Sequence, residues 1–114
     1  MVGDSEEAAQ ARNEAYVVGR ARYHDNVRGA LVGDDAGFLK LLFRAEDMRL
    51  IGAHMLGEQA IELINVAVLA MQLDGTNQAF IDACFNYPSL ADLYKYATYD
   101  AMKRAQQGRV TKVV

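Results

Sequence analysis

The chain has 114 residues, with 12 Lys and Arg against 15 Asp and Glu for a formal net charge of −3. That length holds one domain with one core, and 52% hydrophobic with 24% charged residues excludes disordered and collagen-like classes. A lone cysteine, Cys84, excludes an internal disulfide framework, and the longest apolar run, 66–71, falls far short of the ~20 residues that cross a bilayer.

Residues 4–12 read as a short surface helix capped by Asp4, with Glu6 and Glu7 in its first turn against the positive end of the dipole. Residues 16–23 are rich in strand formers and send Arg20 and Arg22 to one side, Ala21 and Tyr23 to the other. The polar connection 24–37 contains an apolar stretch at 27–32 long enough for a turn of helix. Residues 38–44 then place Leu39, Leu41 and Phe43 on one face and Lys40 and Arg44 on the other. Residues 45–47 make the turn, and 48–56 return with Ile51, Ala53 and Met55 on one face, which predicts an antiparallel hairpin.

Gly57 breaks the second strand, and residues 58–73 predict one helix of about four turns, with Glu58, Glu62 and Asn65 on its polar side. From Val66 to Met71 this helix is apolar all round, the pattern of an element enclosed either at the centre of the domain or beneath a partner subunit. Asp74 and Gly75 end it, and Thr76 caps a short helix over 77–83. Residues 85–88 are extended, because the residue before a proline is pushed out of helical geometry. Ser89 and Asp92 have capping-box spacing for a last helix to about Ala105, with Leu90, Leu93, Tyr94, Ala97 and Ala101 on one face. A small antiparallel sheet followed by helices is an α+β domain.

Positive charge is dispersed among Arg20, Arg22, Arg28 and the tail residues Lys103, Arg104, Arg109 and Lys112, with none between Leu50 and Tyr94. A nucleic-acid partner requires a concentrated positive surface, so none is expected, and the basic tail reads as a solvated helix end. The acidic, polar opening is unlike a targeting leader, so a cytoplasmic protein with no membrane partner is expected.

Catalytic and metal-binding patterns are sparse. Gly29, Gly33 and Gly37 fit neither a dinucleotide fingerprint nor a phosphate loop. The only metal-like spacings are His24 with Asp25 and His54 with Glu58, short of a full ligand set, so both histidines read as structural and no metal is expected. Cys84, between Ala83 and Phe85, reads as a small buried hydrophobe rather than a nucleophile. Tyr87, Tyr94, Tyr96 and Tyr99 cluster near the last helix, where tyrosine serves either core packing or an interface.

The run Gly52-Ala-His54-Met-Leu-Gly57-Glu-Gln-Ala60-Ile-Glu62-Leu-Ile64, followed by Phe85-Asn-Tyr87-Pro88-Ser-Leu-Ala-Asp92, resembles a known family. It is similar to the C-terminal dimerisation domain of the FAD-dependent pyridine nucleotide–disulfide oxidoreductases, which include dihydrolipoamide dehydrogenase and glutathione reductase. The likeness runs from the opening Met1-Val2-Gly3-Asp4-Ser5-Glu6-Glu7 to about Arg104. Disulfide-reducing members carry His-x-His-Pro-Thr-x-x-Glu in the second run, with the second His as acid/base and the Glu orienting it. Here Tyr87 stands at that His position and Asp92 at the Glu position. A tyrosine, with an ordinary pKa of about 10, does not exchange protons with a thiol at neutral pH as histidine does.

Phe-Asn-Tyr-Pro is instead similar to the soluble NAD(P) transhydrogenases, flavoproteins of this family that pass hydride between NAD(H) and NADP(H) through FAD. The resemblance implies a homodimer in which Tyr87 and Pro88 meet the partner subunit's flavin, mainly by main-chain contact, across an X–Pro bond of the kind found in the cis form. It also implies that FAD- and NAD-binding domains belong to a parent chain outside residues 1–114. The isolated chain is then expected to hold no FAD and to have no catalytic residue of its own. A free-standing oligomerisation or binding module of the same fold, without activity, is the alternative, because fold does not dictate function. A dihydrolipoamide dehydrogenase-like reductase is disfavoured by the missing histidines.

Overall fold

The computed structural model describes residues 1–33, 36–86, 88–108 and 110–111. Four strands, β1 (Val2–Gly3), β2 (Tyr16–Arg22), β3 (Phe38–Arg44) and β4 (Leu50–Leu56), form one antiparallel sheet in the order β1-β4-β3-β2. The helices are α1 (Glu6–Ala11), α2 (Val27–Val32), α3 (Ala60–Leu63), α4 (Asn65–Gln72), α5 (Asn77–Asp82) and α6 (Leu93–Gln106), with 3₁₀ turns at Tyr23–Asp25 and Leu90–Asp92. The α+β class expected from the sequence is the one observed.

Alternation along β2 and β3 works as read. Val17, Ala21, Leu39, Leu41 and Phe43 all lie in the main core beneath α4, α5 and α6, while Arg20 and Arg22 are exposed on the other face. In β4 the reading needs correction. Phe43 pairs with Leu50 but Leu42 with Gly52, so Ile51 is an extra residue in the ladder. The bulge turns Leu50 and Ala53 into the main core and sends Ile51 to the opposite face, against a second cluster of Ala9, Tyr16, Val18 and Leu42. Ile51 and Ala53 therefore do not share a face.

The helix that covers this second face is α1. Its cap is Ser5 rather than Asp4: Ser5 Oγ accepts from the Ala8 N–H at 3.1 Å. Asp4 is still held in the sheet, its N–H donating to the Ile51 carbonyl at 2.8 Å, so the helix starts one residue later than expected. Glu6 ties α1 to the sheet by receiving Lys40 Nζ at 2.5 Å and the Tyr16 hydroxyl at 3.0 Å. Lys40, first, and then the Tyr16 hydroxyl hold its carboxyl below the usual carboxylate range against the opposing effect of burial.

On the main face α6 crosses β2 at very close range. Gly19 permits this, since a Cβ there would collide with the Ala97 carbonyl oxygen and lie 2.8 Å from Ala101 Cβ. The expected apolar face is observed, with Leu90 of the 3₁₀ turn and Leu93, Tyr94, Ala97 and Ala101 of α6 all buried.

The single helix expected over 58–73 is two helices. Gly57 sits at φ 134° and Gln59 in the left-handed region at φ 60°, so helical geometry begins only at Ala60. It breaks again at Ile64, where the Tyr94 hydroxyl takes the Leu63 carbonyl at 2.6 Å. Thr76 caps α5 as expected, accepting from the Gln78 N–H at 3.3 Å. Ser89 does not cap: its side chain makes no cap bond, and the Asp92 N–H reaches the Ser89 carbonyl instead, at 3.4 Å. After α6 the chain turns back, and Thr111 exchanges backbone hydrogen bonds of 2.9 and 3.0 Å with Tyr16. Among the described residues no helix is long and apolar enough to cross a membrane.

Candidate functional site

Two features of this fold face outward without an evident role in the core. One is the loop between α5 and the Leu90–Asp92 turn; the other is the outer face of α3 and α4. A short row of aromatic rings connects the loop to the sheet. Phe43 of β3 meets Phe80 of α5 edge-on at 6.4 Å, Phe80 stacks on Tyr94 of α6 at 5.2 Å, and Tyr94 stacks on Phe85 of the loop at 6.3 Å. Such pairs combine burial with a preferred geometry, so Phe85 fixes where the loop leaves the core. Beyond it, Asn86 and Pro88 are exposed. Among the described residues the backbone groups of Phe85 and Asn86 have no hydrogen-bond partner. Past the proline the chain is caught again, because Asn26 Nδ2 donates to the Ser89 carbonyl at 3.0 Å.

The helix pair presents the second feature. Only Ala67 of α3 and α4 is buried. Ile61 is 85% exposed, Leu69 62% and Leu73 73%, so residues 66–71 are not enclosed within the domain. The central-position reading of this apolar stretch is thereby corrected. Leu56, Tyr96 and Tyr99 are exposed as well, and Met1, Met55, Ala60, Ile61 and Ile64 line a cleft of about 200 Å³. Ile61, Val68, Leu69 and Leu73 together form a candidate interaction surface, although α2 exposes Val27, Leu31 and Val32 too. Two buried tyrosines hold the segment from below. The Tyr23 hydroxyl donates to the Glu58 carbonyl at 2.7 Å, and that of Tyr94 to the Leu63 carbonyl. Burial pushes the Tyr94 hydroxyl up to about 12, with the Ala67 N–H opposing this and Tyr23 adding to it.

The sequence-derived candidates fall as follows. Tyr87 lies outside the described residues, and with it the Tyr87–Pro88 bond. Pro88 is exposed at the loop tip, and Asp92 is half-buried at the end of the 3₁₀ turn, where its side chain caps nothing. Cys84 is exposed, not buried as expected, because the chain has already left α5 at Ala83 and runs along the surface. His24 pairs with Asp25 on the surface at 3.1 Å, and His54 Nε2 lies 3.2 Å from the Asp4 carbonyl oxygen. Among the described residues no three His, Cys, Asp or Glu side chains gather as a metal site. A larger cleft of about 370 Å³, beside Arg20, Arg22, Gly37 and Phe38, takes no residue from the loop or the apolar helix face. Sequence reading missed Asn26 and Tyr23 as supports. An asparagine directly before the apolar run 27–32 was the available signal for Asn26, since that is a preferred helix cap.

Comparison with known proteins identifies the family and the fold. Residues 1–98 match the family described as pyridine nucleotide-disulphide oxidoreductase, dimerisation domain. The soluble pyridine nucleotide transhydrogenase of Mycobacterium bovis (strain BCG / Pasteur 1173P2) is 38% identical over 103 residues, covering 90% of this chain and 22% of that protein. That of Yersinia pestis (strain Pestoides F) is 36% identical over 106 residues, covering 90% and 23%. The chain thus spans less than a quarter of these curated relatives. Among solved structures, the HOCl-induced flavoprotein disulfide reductase RclA from Escherichia coli superposes with a TM-score of 0.80 at 23% identity, over 86% of this chain and 22% of that one. LpdA from Mycobacterium tuberculosis does so with a TM-score of 0.76 at 24% identity, over 90% and 22%. At that identity the two structures speak for the fold.

Proposed function

The chain belongs to the pyridine nucleotide-disulphide oxidoreductase dimerisation-domain family, and from that premise we propose that it joins two subunits of an FAD-dependent transhydrogenase and places its loop tip against the partner subunit's flavin. The observation that carries this reading is the pairing of a greasy helix face with a loop anchored at both ends. Ile61, Leu69 and Leu73 have the exposure of residues that a second copy covers. A twofold contact through one shared patch is the commonest way such a surface closes, and a stable contact of this type buries about 800 Å² per partner.

The tip fits a flavin as a contact rather than as a pocket. Exposed Asn86 and Pro88, with the backbone groups of Phe85 and Asn86 that have no partner among the described residues, can lie against the edge of a planar polar ring held elsewhere. Tyr87 completes the strip by sequence. Bound FAD would supply the hydride chemistry between NAD(H) and NADP(H), and this chain's residues would orient the ring and exclude water from it. Domains that hold the flavin and the nicotinamide belong, on this reading, to chain outside residues 1–114. The 114 residues alone therefore bind no FAD and catalyse nothing, with Tyr87 and Asp92 acting in neither proton transfer nor nucleophilic attack. The transhydrogenase branch is favoured over a disulfide reductase because Phe85 and Tyr87 stand where the histidines would be.

Sedimentation of the 114-residue protein over a range of concentrations tests the pairing, with a dimer expected. Leu69→Lys is expected to give monomer with an unchanged fold, since it adds charge at an exposed site. A wild-type protein that stays monomeric at high concentration refutes the dimer, and flavin absorbance in the purified protein refutes the contact-only role of the tip.

A further inference from the structure

Asn26 is only 3% exposed, and both ends of its amide are used. Its Oδ1 accepts from the Gly29 N–H at 3.0 Å, and its Nδ2 donates to the carbonyl of Ser89, 63 positions further along the chain, also at 3.0 Å. The first bond caps α2. A cap alone does not explain an asparagine, because serine or aspartate would serve there equally; an ionised aspartate has no donor, and the single hydroxyl of serine sits a bond nearer the backbone than the Asn26 Nδ2 that meets Ser89.

The helix being capped adds little to the core: of its six residues only Gly29 is buried, and Leu31 is 70% exposed. What α2 and its cap do accomplish is to deliver a buried amide to Ser89. Ser89 is held through its backbone and not its side chain, since its own Oγ is buried with no hydrogen-bond partner among the described residues. With Phe85 stacked on Tyr94 before the tip, the Asn26 amide is the anchor after it.

We propose that Asn26 is the positioning residue of the loop tip, setting through the Ser89 carbonyl how Asn86 and Pro88 are presented to the partner subunit. Its consequence for a cofactor rests on the proposed flavin contact; its effect on the tip does not. Asn26→Asp keeps an acceptor for Gly29 and has no donor for Ser89, and Asn26→Ser keeps the acceptor while its hydroxyl falls short of the place where Nδ2 meets the Ser89 carbonyl, so two independent variants preserve α2.

In the 114-residue protein, nuclear magnetic resonance is expected to show the Gly29 amide and the β2–β3 ladder protected as in the wild type. The Asp92 amide, which also leans on the Ser89 carbonyl, should exchange about tenfold faster, in keeping with the loss of one hydrogen bond, and backbone order across 85–89 should fall. Asn26→Ala should lose protection at Gly29 as well. Unchanged exchange and order over 85–92 in the Ser and Asp variants would overturn the positioning role. Where these residues sit within a flavin-containing chain, bound-FAD fluorescence should change in step with the loosened tip. A loosened tip with unaltered flavin fluorescence supports the positioning role and refutes the flavin contact.

Discussion

Replacing Tyr94 by phenylalanine removes one oxygen atom and tests how the α3–α4 surface is held. Tyr94 has no exposed surface; its ring stacks on Phe80 and Phe85, and its hydroxyl donates to the Leu63 carbonyl at 2.6 Å. Phenylalanine keeps both stacks, so the loss is one hydrogen bond and a carbonyl left without its donor. That costs about 1–2 kcal/mol, or roughly 4–10 °C in Tm for a domain of this size.

The pH dependence is more specific. Burial moves the hydroxyl from 10.0 to about 12 in the folded protein. Below pH 10 both folded and unfolded chains keep the proton, and stability is unaffected. Between pH 10 and 12 the unfolded chain loses it while the folded chain retains it, so stability falls by about 1.4 kcal/mol per pH unit, up to about 2.7 kcal/mol in all. The phenylalanine variant has no such proton. Its deficit at pH 8 should therefore shrink above pH 10 and vanish near pH 11. Urea unfolding at fixed protein concentration, so that self-association cancels, measures both curves from pH 8 to 12. Parallel curves over that range would refute the buried, donating hydroxyl.

Gly19→Ala should destabilise the domain by about 2–3 kcal/mol in urea unfolding, because the new methyl group collides with the Ala97 carbonyl and forces α6 off β2. Asp47 is held at about 2 by its hydrogen bonds with Arg44 in the β3–β4 turn, against a slight effect of burial. The carboxylate's contribution is present above the ordinary value of 3.8 and lost as pH falls towards 2. With 43% of its side chain exposed, that contribution stays under about 1 kcal/mol. Asp47→Asn should accordingly flatten the acid limb of the stability curve between pH 4 and 2 while moving the pH 7 midpoint only slightly.

Most of the architecture is legible along the chain. Alternation at Leu39, Leu41 and Phe43 and the stripe from Leu90 to Ala101 are local periodic signals, and both lead to the buried faces observed. The runs around His54 and Pro88 pointed to the family, since they are contiguous. What failed did so where a distant group intervened. Sheet pairing of Asp4 moved the first cap to Ser5, the bulge at Ile51 reversed one row of β4, and the Tyr94 hydroxyl divided a helix that reads as continuous. Cys84 looked like core because its neighbours are apolar, yet the end of α5 left it on the surface.

The sequence by itself determined most of the elements, the faces that β2, β3 and α6 bury and the family they belong to, because side-chain period and motif spacing are properties of neighbouring residues. Only the tertiary structure decided how the loop is anchored and which apolar helix face is left uncovered. Those outcomes depend on groups brought together from 31 and 63 positions apart, the Tyr94 hydroxyl at Leu63 and the Asn26 amide at Ser89, and no local pattern encodes such a meeting.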